Sequence, residues 1–220
     1  MSEYGLQVKN NSGDLIIDSK YKNFALYESG SVNLPGRTRT TITFATATAQ
    51  NIVVALKPDT AGYVSIIAYT TSGGNYTGFI LCSDANTTVY WKAYIAHYTS
   101  VSNPHGLLVY DSAGVLVYDS GRSYFNISSI QTGISVAGIQ LYEVYTTITH
   151  TESSPYYVLS PIGFWIAGTV SPPHIYYWYI GIKQVDSTHC RVGWNLLYDA
   201  STPTNQSKGW NPSYDLFILK

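Results

Sequence analysis

The sequence predicts an all-β chain of two tandem antiparallel β-sandwich domains arising from duplication, residues 1–104 and residues 105–220. Three observations carry this reading. Short β-branched and aromatic runs, each closed by Gly, Pro or Asn, follow one another at spacings near ten residues. That is the pattern of a sandwich or barrel rather than of alternating strands and helices. In the first half no segment sustains the three-and-four apolar spacing of an amphipathic helix. Finally, one stretch occurs twice: Gly5 to Ser19 reads GLQVKNNSGDLIIDS, and Gly106 to Ser120 reads GLLVYDSAGVLVYDS.

The two copies align without a gap and agree at seven positions. Unrelated segments of that length would share roughly one identity at average composition. Each copy has an alternating apolar run, a polar break ending in Gly, a second alternating run and then Asp-Ser. This describes a β-hairpin whose loop needs a positive φ at its last residue. In the first copy Lys9 is expected opposite Asp14, Val8 opposite Leu15 and Leu6 opposite Ile17. Its other face then carries Gln7 with Ile16 and the ion pair, which water tolerates. In the second copy that face carries Leu108 with Val117 and Tyr110 with Val115. Four such side chains on a solvated sheet face are an aggregation hazard, so the first domain or a neighbouring subunit is expected to cover them. Leu108, Tyr110, Val115 and Val117 are therefore the interface candidates. Leu108 and Val117 are expected to be buried in the assembled protein, with Gln7 and Lys9 at least partly exposed. Val117→Asp is expected to impair docking or assembly more than Ile16→Asp.

Along the chain, Lys20 to Gly36 reads as irregular and ends in the turn signal Leu34-Pro35-Gly36. Strands are expected over 38–49, 51–56, 63–69, 78–82 and 87–96, the last with Val89, Trp91 and Ala93 on one face. After the second hairpin they are expected over 127–136, 138–148, 156–159, 163–170, 175–182, 190–197 and 214–219. Val192 and Trp194 stand where the first half has Val89 and Trp91, and Asn103-Pro104 has an echo in Asn211-Pro212. Hairpin, Trp strand and Asn-Pro thus recur in one order at offsets of 101, 103 and 108 residues, a drift that loop insertions produce. Trp91 and Trp194 are accordingly expected in equivalent core positions.

Only 11% of the 220 residues are charged and the net charge is −1. An average soluble protein has about 25% charged residues. Phosphate neutralisation needs clustered Lys and Arg, so nucleic acid is not an expected partner. The 21 tyrosines are the compositional outlier, and tyrosine suits both strands and interfaces. The opening MSEYGLQV has neither a basic nor an apolar signal region, so no signal peptide is expected and the sequons read as ordinary polar residues. Cys82 and Cys190 read as two buried free thiols of a chain made in a reducing compartment. The uncharged run from Ser153 to Ile182 is interrupted by Pro155, Pro161, Pro172 and Pro173, so no membrane span is expected.

No catalytic, metal or cofactor site is legible. His97, His105, His150, His174 and His189 show no ligating spacing and read as loop or half-buried strand residues. The Gly133 to Gly138 run lacks the spacing and the following helix of a nucleophile elbow. Asp111 stands where a type I turn favours Asx and Asp119 ends a strand, so both read as structural rather than as calcium ligands. Nothing nominates a carboxylate pair for glycoside hydrolysis. The aromatic run Tyr176, Tyr177, Trp178 and Tyr179 remains. In a strand Tyr177 and Tyr179 point away from Tyr176 and Trp178, so one pair can fill a core while the other lines a surface for sugar stacking or for protein contact.

The opening Tyr4-Gly5-Leu6-Gln7-Val8 through Asp18-Ser19 resembles small proteins of tailed phages and prophages, typically encoded among tail-tip and tail-fibre genes. The resemblance covers about 16 residues, repeated once. It implies a non-enzymatic virion structural protein, made in the host cytoplasm and oligomeric in the particle, whose partners are other tail or baseplate subunits. It supplies no catalytic residues. The alternative is a carbohydrate-binding or receptor-binding module that recognises a host surface glycan through the Tyr/Trp-rich second domain. A capsid decoration protein and a hydrolase with an unrecognised acid pair rank below these.

Overall fold

The computed structural model describes residues 7–9, 15–18, 23–96, 106–136, 145–160, 164–170, 173–200, 208–210 and 214–220. For 7–9, 15–18, 164–170, 173–178, 195–200 and 208–210 the description is of the backbone alone. Every regular element among these residues is a strand. In the first half these are β1 (Gln7–Lys9), β2 (Leu15–Asp18), β3 (Ala25–Leu34), β4 (Arg39–Thr48), β5 (Ile52–Pro58), β6 (Val64–Ser72), β7 (Asn75–Ser83) and β8 (Thr87–Ile95). The second half holds β9 (Leu108–Tyr110), β10 (Leu116–Asp119), β11 (Ile127–Ile134), β12 (Tyr145–Thr149) and β13 (Tyr156–Ser160). It continues with β14 (Phe164–Val170), β15 (Pro173–Gln184), β16 (His189–Ala200), β17 (Lys208–Trp210) and β18 (Tyr214–Leu219). No helix among the described residues is long and apolar enough to cross a membrane.

The strands form two antiparallel hairpins, β1-β2 and β9-β10, and two larger antiparallel sheets. One sheet has the order β11-β18-β13-β5-β8-β3, and the other runs β12-β16-β15-β6-β7-β4, with β14 and β17 branching from β15. The twelve residues of β15 allow the branch. Its Pro173–Tyr179 portion pairs with β14, and Ile182 pairs with Val64 of β6. Each half of the chain supplies three strands to each sheet, and in the same order. β3-β8-β5 in the first half corresponds to β11-β18-β13 in the second, and β4-β7-β6 corresponds to β12-β16-β15. The halves meet where Leu56 faces Tyr157 and where Val64 faces Ile182.

This order corrects the expected match between the two tryptophans. Trp91 is on β8, whose counterpart in strand order is β18, whereas Trp194 is on β16 of the other sheet. Both rings are buried. What Val-x-Trp marks in both halves is a core-facing strand, and alternation produces that pattern in either sheet.

Two compact units are formed, one within residues 1–29, 50–54 and 92–125, the other within 30–49, 55–91 and 126–220. In the second unit the apolar faces of both sheets meet. Trp91 of β8 packs edge-on against Phe79 of β7 at 5.4 Å between centroids, with Phe44 of β4 at 6.3 Å. A further core joins Ile134, Tyr157, Tyr214, Leu216 and Ile218 of the six-stranded sheet to Ile148, Ile180, Ile182, Val192 and Trp194 of the other. Cys82 and Cys190 are buried, and neither is in a disulfide.

The stretch read as irregular before Leu34-Pro35-Gly36 is largely a strand, β3. It ends its sheet, and from Ser29 to Asn33 its residues are small or polar with exposure at every second position. An edge strand of that composition lacks the apolar alternation by which strands are recognised in sequence.

Candidate functional site

The repeated signature has a physical account in the second hairpin. Gly114 takes φ +77°, its N–H donates to the Asp111 carbonyl at 3.0 Å, and the Asp111 N–H donates to the Val115 carbonyl at 2.9 Å. This is a type I turn closed by a left-handed residue, and the Asp111 carboxylate accepts from the Ala113 and Val115 N–H groups. Ser120 Oγ accepts from the Leu107 N–H at 2.9 Å, and it lies where a Cβ on Gly106 would stand. The buried Asp119 carboxylate accepts from the Gly121 N–H at 2.8 Å and faces the Arg122 guanidinium at 3.6 Å. Gly, Gly, Asp and Ser are thus the residues that close this hairpin. Of their counterparts, Gly5, Gly13 and Ser19 lie outside the described residues, and Asp18 is described in backbone only.

The register differs from the expected one in both hairpins. Val8 faces Ile17 rather than Leu15, and Lys9 faces Leu15 rather than Asp14. In the second hairpin Leu108 faces Asp119 and Tyr110 faces Leu116, with a bulge between Leu116 and Tyr118. The extra residue lets two neighbours, Leu116 and Val117, both be buried. Val117 packs with Val109, while Leu116 packs with Ala25, Leu108 and Tyr124. The four interface candidates are therefore separated: Val117 is buried, Leu108 and Val115 are half-buried, and Tyr110 is 47% exposed. The side chains of Gln7 and Lys9 lie outside the described set.

Of the aromatic candidates, Tyr176, Tyr177, Trp178 and Tyr179 form the middle of β15, held between β14 and β16. Tyr179 is half-buried, and the other three are described in backbone only. A register shift in β16 falls between the partners of Tyr177 and Trp178, which face Tyr198 and Leu196.

One group of reactive residue types does converge. His150, Tyr157 of β13 and Cys190 of β16 are all buried, and the Tyr157 hydroxyl lies 2.9 Å from His150 Nε2. Burial pushes the Cys190 thiol up to about 12, against a hydrogen bond with Tyr157 that acts the other way. Burial first, then Cys190 and Asp186, raises Tyr157 far above its ordinary range. Burial holds His150 below its ordinary value, outweighing the Glu152 backbone and the charges of Asp186 and Glu152. A nucleophilic cysteine needs thiolate character and access, and this thiol has neither, so the trio is a polar part of the core. Among the described residues no group of three or more His, Cys, Asp or Glu is placed to hold a metal ion. His97 and His105 lie outside the described residues.

A pH dependence follows from His150. It is neutral in the fold, while the unfolded chain takes up a proton below about pH 6.5. Its share of stability is therefore complete above that pH and is lost as pH falls from there through the lowered folded value. Asp186, held at about 2 by the Thr188 N–H and by His189, acts only in the separate window below the ordinary carboxylate range. Thermal melts between pH 8 and pH 5 are expected to show a falling melting temperature below about 6.5, flattened by His150→Gln. An unchanged slope in the variant would count against this assignment.

The structure also assembles a site that no local pattern announced. Three loops meet at one end of the first-half strands: the β3–β4 turn, the β5–β6 loop and the β7–β8 turn. The Asp59 carboxylate accepts from the Thr87 hydroxyl, from the Ala61 N–H at 2.8 Å and from the Thr88 N–H at 2.9 Å. These bonds hold it below its ordinary value although desolvation, the largest single influence, acts to raise it. The Thr88 hydroxyl donates to Asn33 Oδ1 at 2.9 Å, and the Gly36 N–H donates to Asn86 Oδ1 at 2.8 Å. Arg37, a non-glycine residue at φ +61°, donates its N–H to the Ser83 carbonyl at 2.6 Å. A left-handed arginine costs free energy and persists where its surroundings fix it. Between the loops lies an open cleft of about 420 Å³ lined by Asn33, Pro35, Asp59, Asn86, Thr87 and Thr88, among others.

Comparison of the chain with protein-family models, with curated proteins and with solved structures gives no match in any of the three.

Proposed function

We propose that this chain is a non-enzymatic structural protein of a tailed-phage virion, made in the host cytoplasm and seated at the tail tip or tail-fibre attachment. Its second half makes the contacts to neighbouring subunits. One asymmetry supports the second part of this reading. Among the described residues the large apolar side chains most open to solvent are Tyr90, Leu107, Tyr110, Ile127, Ile130 and Tyr145, and five of these six follow residue 104. Ile127 and Ile130 are on β11 and Tyr145 is on β12, the strands that end the two sheets on the second-half side. Single exposed apolar residues are ordinary, but several on terminal strands suit a surface that a partner covers.

The first part rests on the hairpin resemblance. The signature residues serve the hairpin's own closure, which suits a small structural module and requires no reaction. Mass spectrometry of gradient-purified particles tests the proposal. The chain is expected at a fixed ratio to the other tail proteins; infective particles that lack it would refute the reading.

A further inference from the structure

The cleft between the three first-half loops has a donor and acceptor layout of its own, independent of the virion proposal. Each asparagine is oriented by the bond its carbonyl oxygen accepts, Asn33 from the Thr88 hydroxyl and Asn86 from the Gly36 N–H. Among the described residues neither amide NH2 has a protein partner, and both residues are exposed. Two oriented pairs of N–H donors are thus offered to the cleft. Between the loops, Asp59 Oδ1 is taken up by the Ala61 N–H and the Thr87 hydroxyl, whereas Oδ2 accepts the Thr88 N–H alone. A carboxylate oxygen accepts more than one hydrogen bond, so Oδ2 keeps acceptor capacity.

Amide donors and an ionised acceptor lining one cleft restrict the ligand class. An anion would meet the Asp59 charge, and a flat aromatic ligand would find no aromatic ring among the lining residues to stack on. A hydroxyl both donates and accepts, so neighbouring hydroxyls on one ring can accept an amide N–H and donate a hydrogen bond to Asp59. Pro35, exposed at the rim, offers an apolar patch for the C–H face of such a ring. The volume, about 420 Å³, is within the roughly 300–1,000 Å³ usual for small-molecule sites. The loops are pinned to one another by the bonds already described, so little ordering is left for a ligand to bring about. We propose that this cleft, built by Asn33, Pro35, Asp59, Asn86, Thr87 and Thr88, binds a neutral sugar unit.

The site is distinct from the aromatic run of β15, and the test separates the two. Saturation-transfer difference NMR on the full chain, with a panel of neutral hexoses, N-acetylhexosamines and their short oligosaccharides, is expected to show binding of at least one sugar in the millimolar range. Asn33→Ala and Asn86→Ala are each expected to weaken it about tenfold, the loss that follows removal of a ligand hydrogen bond. Trp178→Ala is expected to leave it unchanged. Near-ultraviolet circular dichroism identifies any variant that fails to fold. Should Asn86→Ala loosen the turn it holds, Asn33→Ala, which releases only a threonine hydroxyl, decides. No response from any sugar would overturn the proposal, as would a response that survives both asparagine variants or is lost in Trp178→Ala. Binding of methylammonium but of no sugar would overturn it too, by showing Asp59 to be a cation site.

Discussion

Truncating Trp91 to alanine is expected to lower the free energy of unfolding by about 3–5 kcal/mol, the usual cost of removing a buried indole. The ring stands on β8 in one sheet and reaches Phe79 and Phe44 of the other, so it joins the two layers of the first-half core. Its loss leaves a cavity between strands that are themselves hydrogen-bonded and slow to collapse into it. Tyr90, one residue earlier, points to the opposite face and is 48% exposed, with Lys57 Nζ 5.7 Å from its ring centroid. Tyr90→Ala is therefore expected to cost less than about 1 kcal/mol. Denaturant unfolding of the two variants checks this pair. Similar losses for both would mean that β8 does not present its two faces as described.

Val117→Asp is expected to have the second large effect, about 3 kcal/mol or more, because it places a carboxylate in a buried site with no cation supplied for it. Val117 packs against Val109 within the second hairpin, and the bulge beside it leaves no solvent-facing alternative without loss of the Leu116 contacts. Tyr110→Asp supplies the contrast. That side chain is already open to solvent, so its substitution is expected to leave stability within about 0.5 kcal/mol while, on the proposed role, lowering incorporation into particles. Hydrogen exchange over the hairpin reads the first effect, and co-purification with particles reads the second. If Tyr110→Asp destabilised the hairpin as strongly as Val117→Asp, Tyr110 would be part of the fold rather than of an interface.

The strands were legible because β-branched and aromatic runs ended in strong turn residues; Thr87 to Ile95, with Val89, Trp91 and Ala93 all buried, is the clearest case. β3 was not, since the outer part of an edge strand needs little apolar alternation and its Ser, Gly and Asn residues read as loop. The hairpin was legible to the level of Gly114 and its turn, but not its register. A bulge between Leu116 and Tyr118 shifts every pair beyond it, and an adjacent Leu-Val does not reveal which of the two occupies it. The match of Trp91 with Trp194 failed because alternation repeats in every core strand, whereas strand order is a property of pairings distant in sequence. The cleft was invisible for the same reason. The bonds that join its loops to one another span 28 to 55 positions, and each contributing loop by itself reads as an ordinary turn.

Cryo-EM of purified particles tests the proposed structural role of the second half of the chain. Density for this protein is expected at the tail tip or fibre attachment, with a neighbouring subunit lying over Tyr110 or along β11 and β12. Particles without the chain, or density in which Tyr110, Ile127, Ile130 and Tyr145 all face solvent, would contradict it.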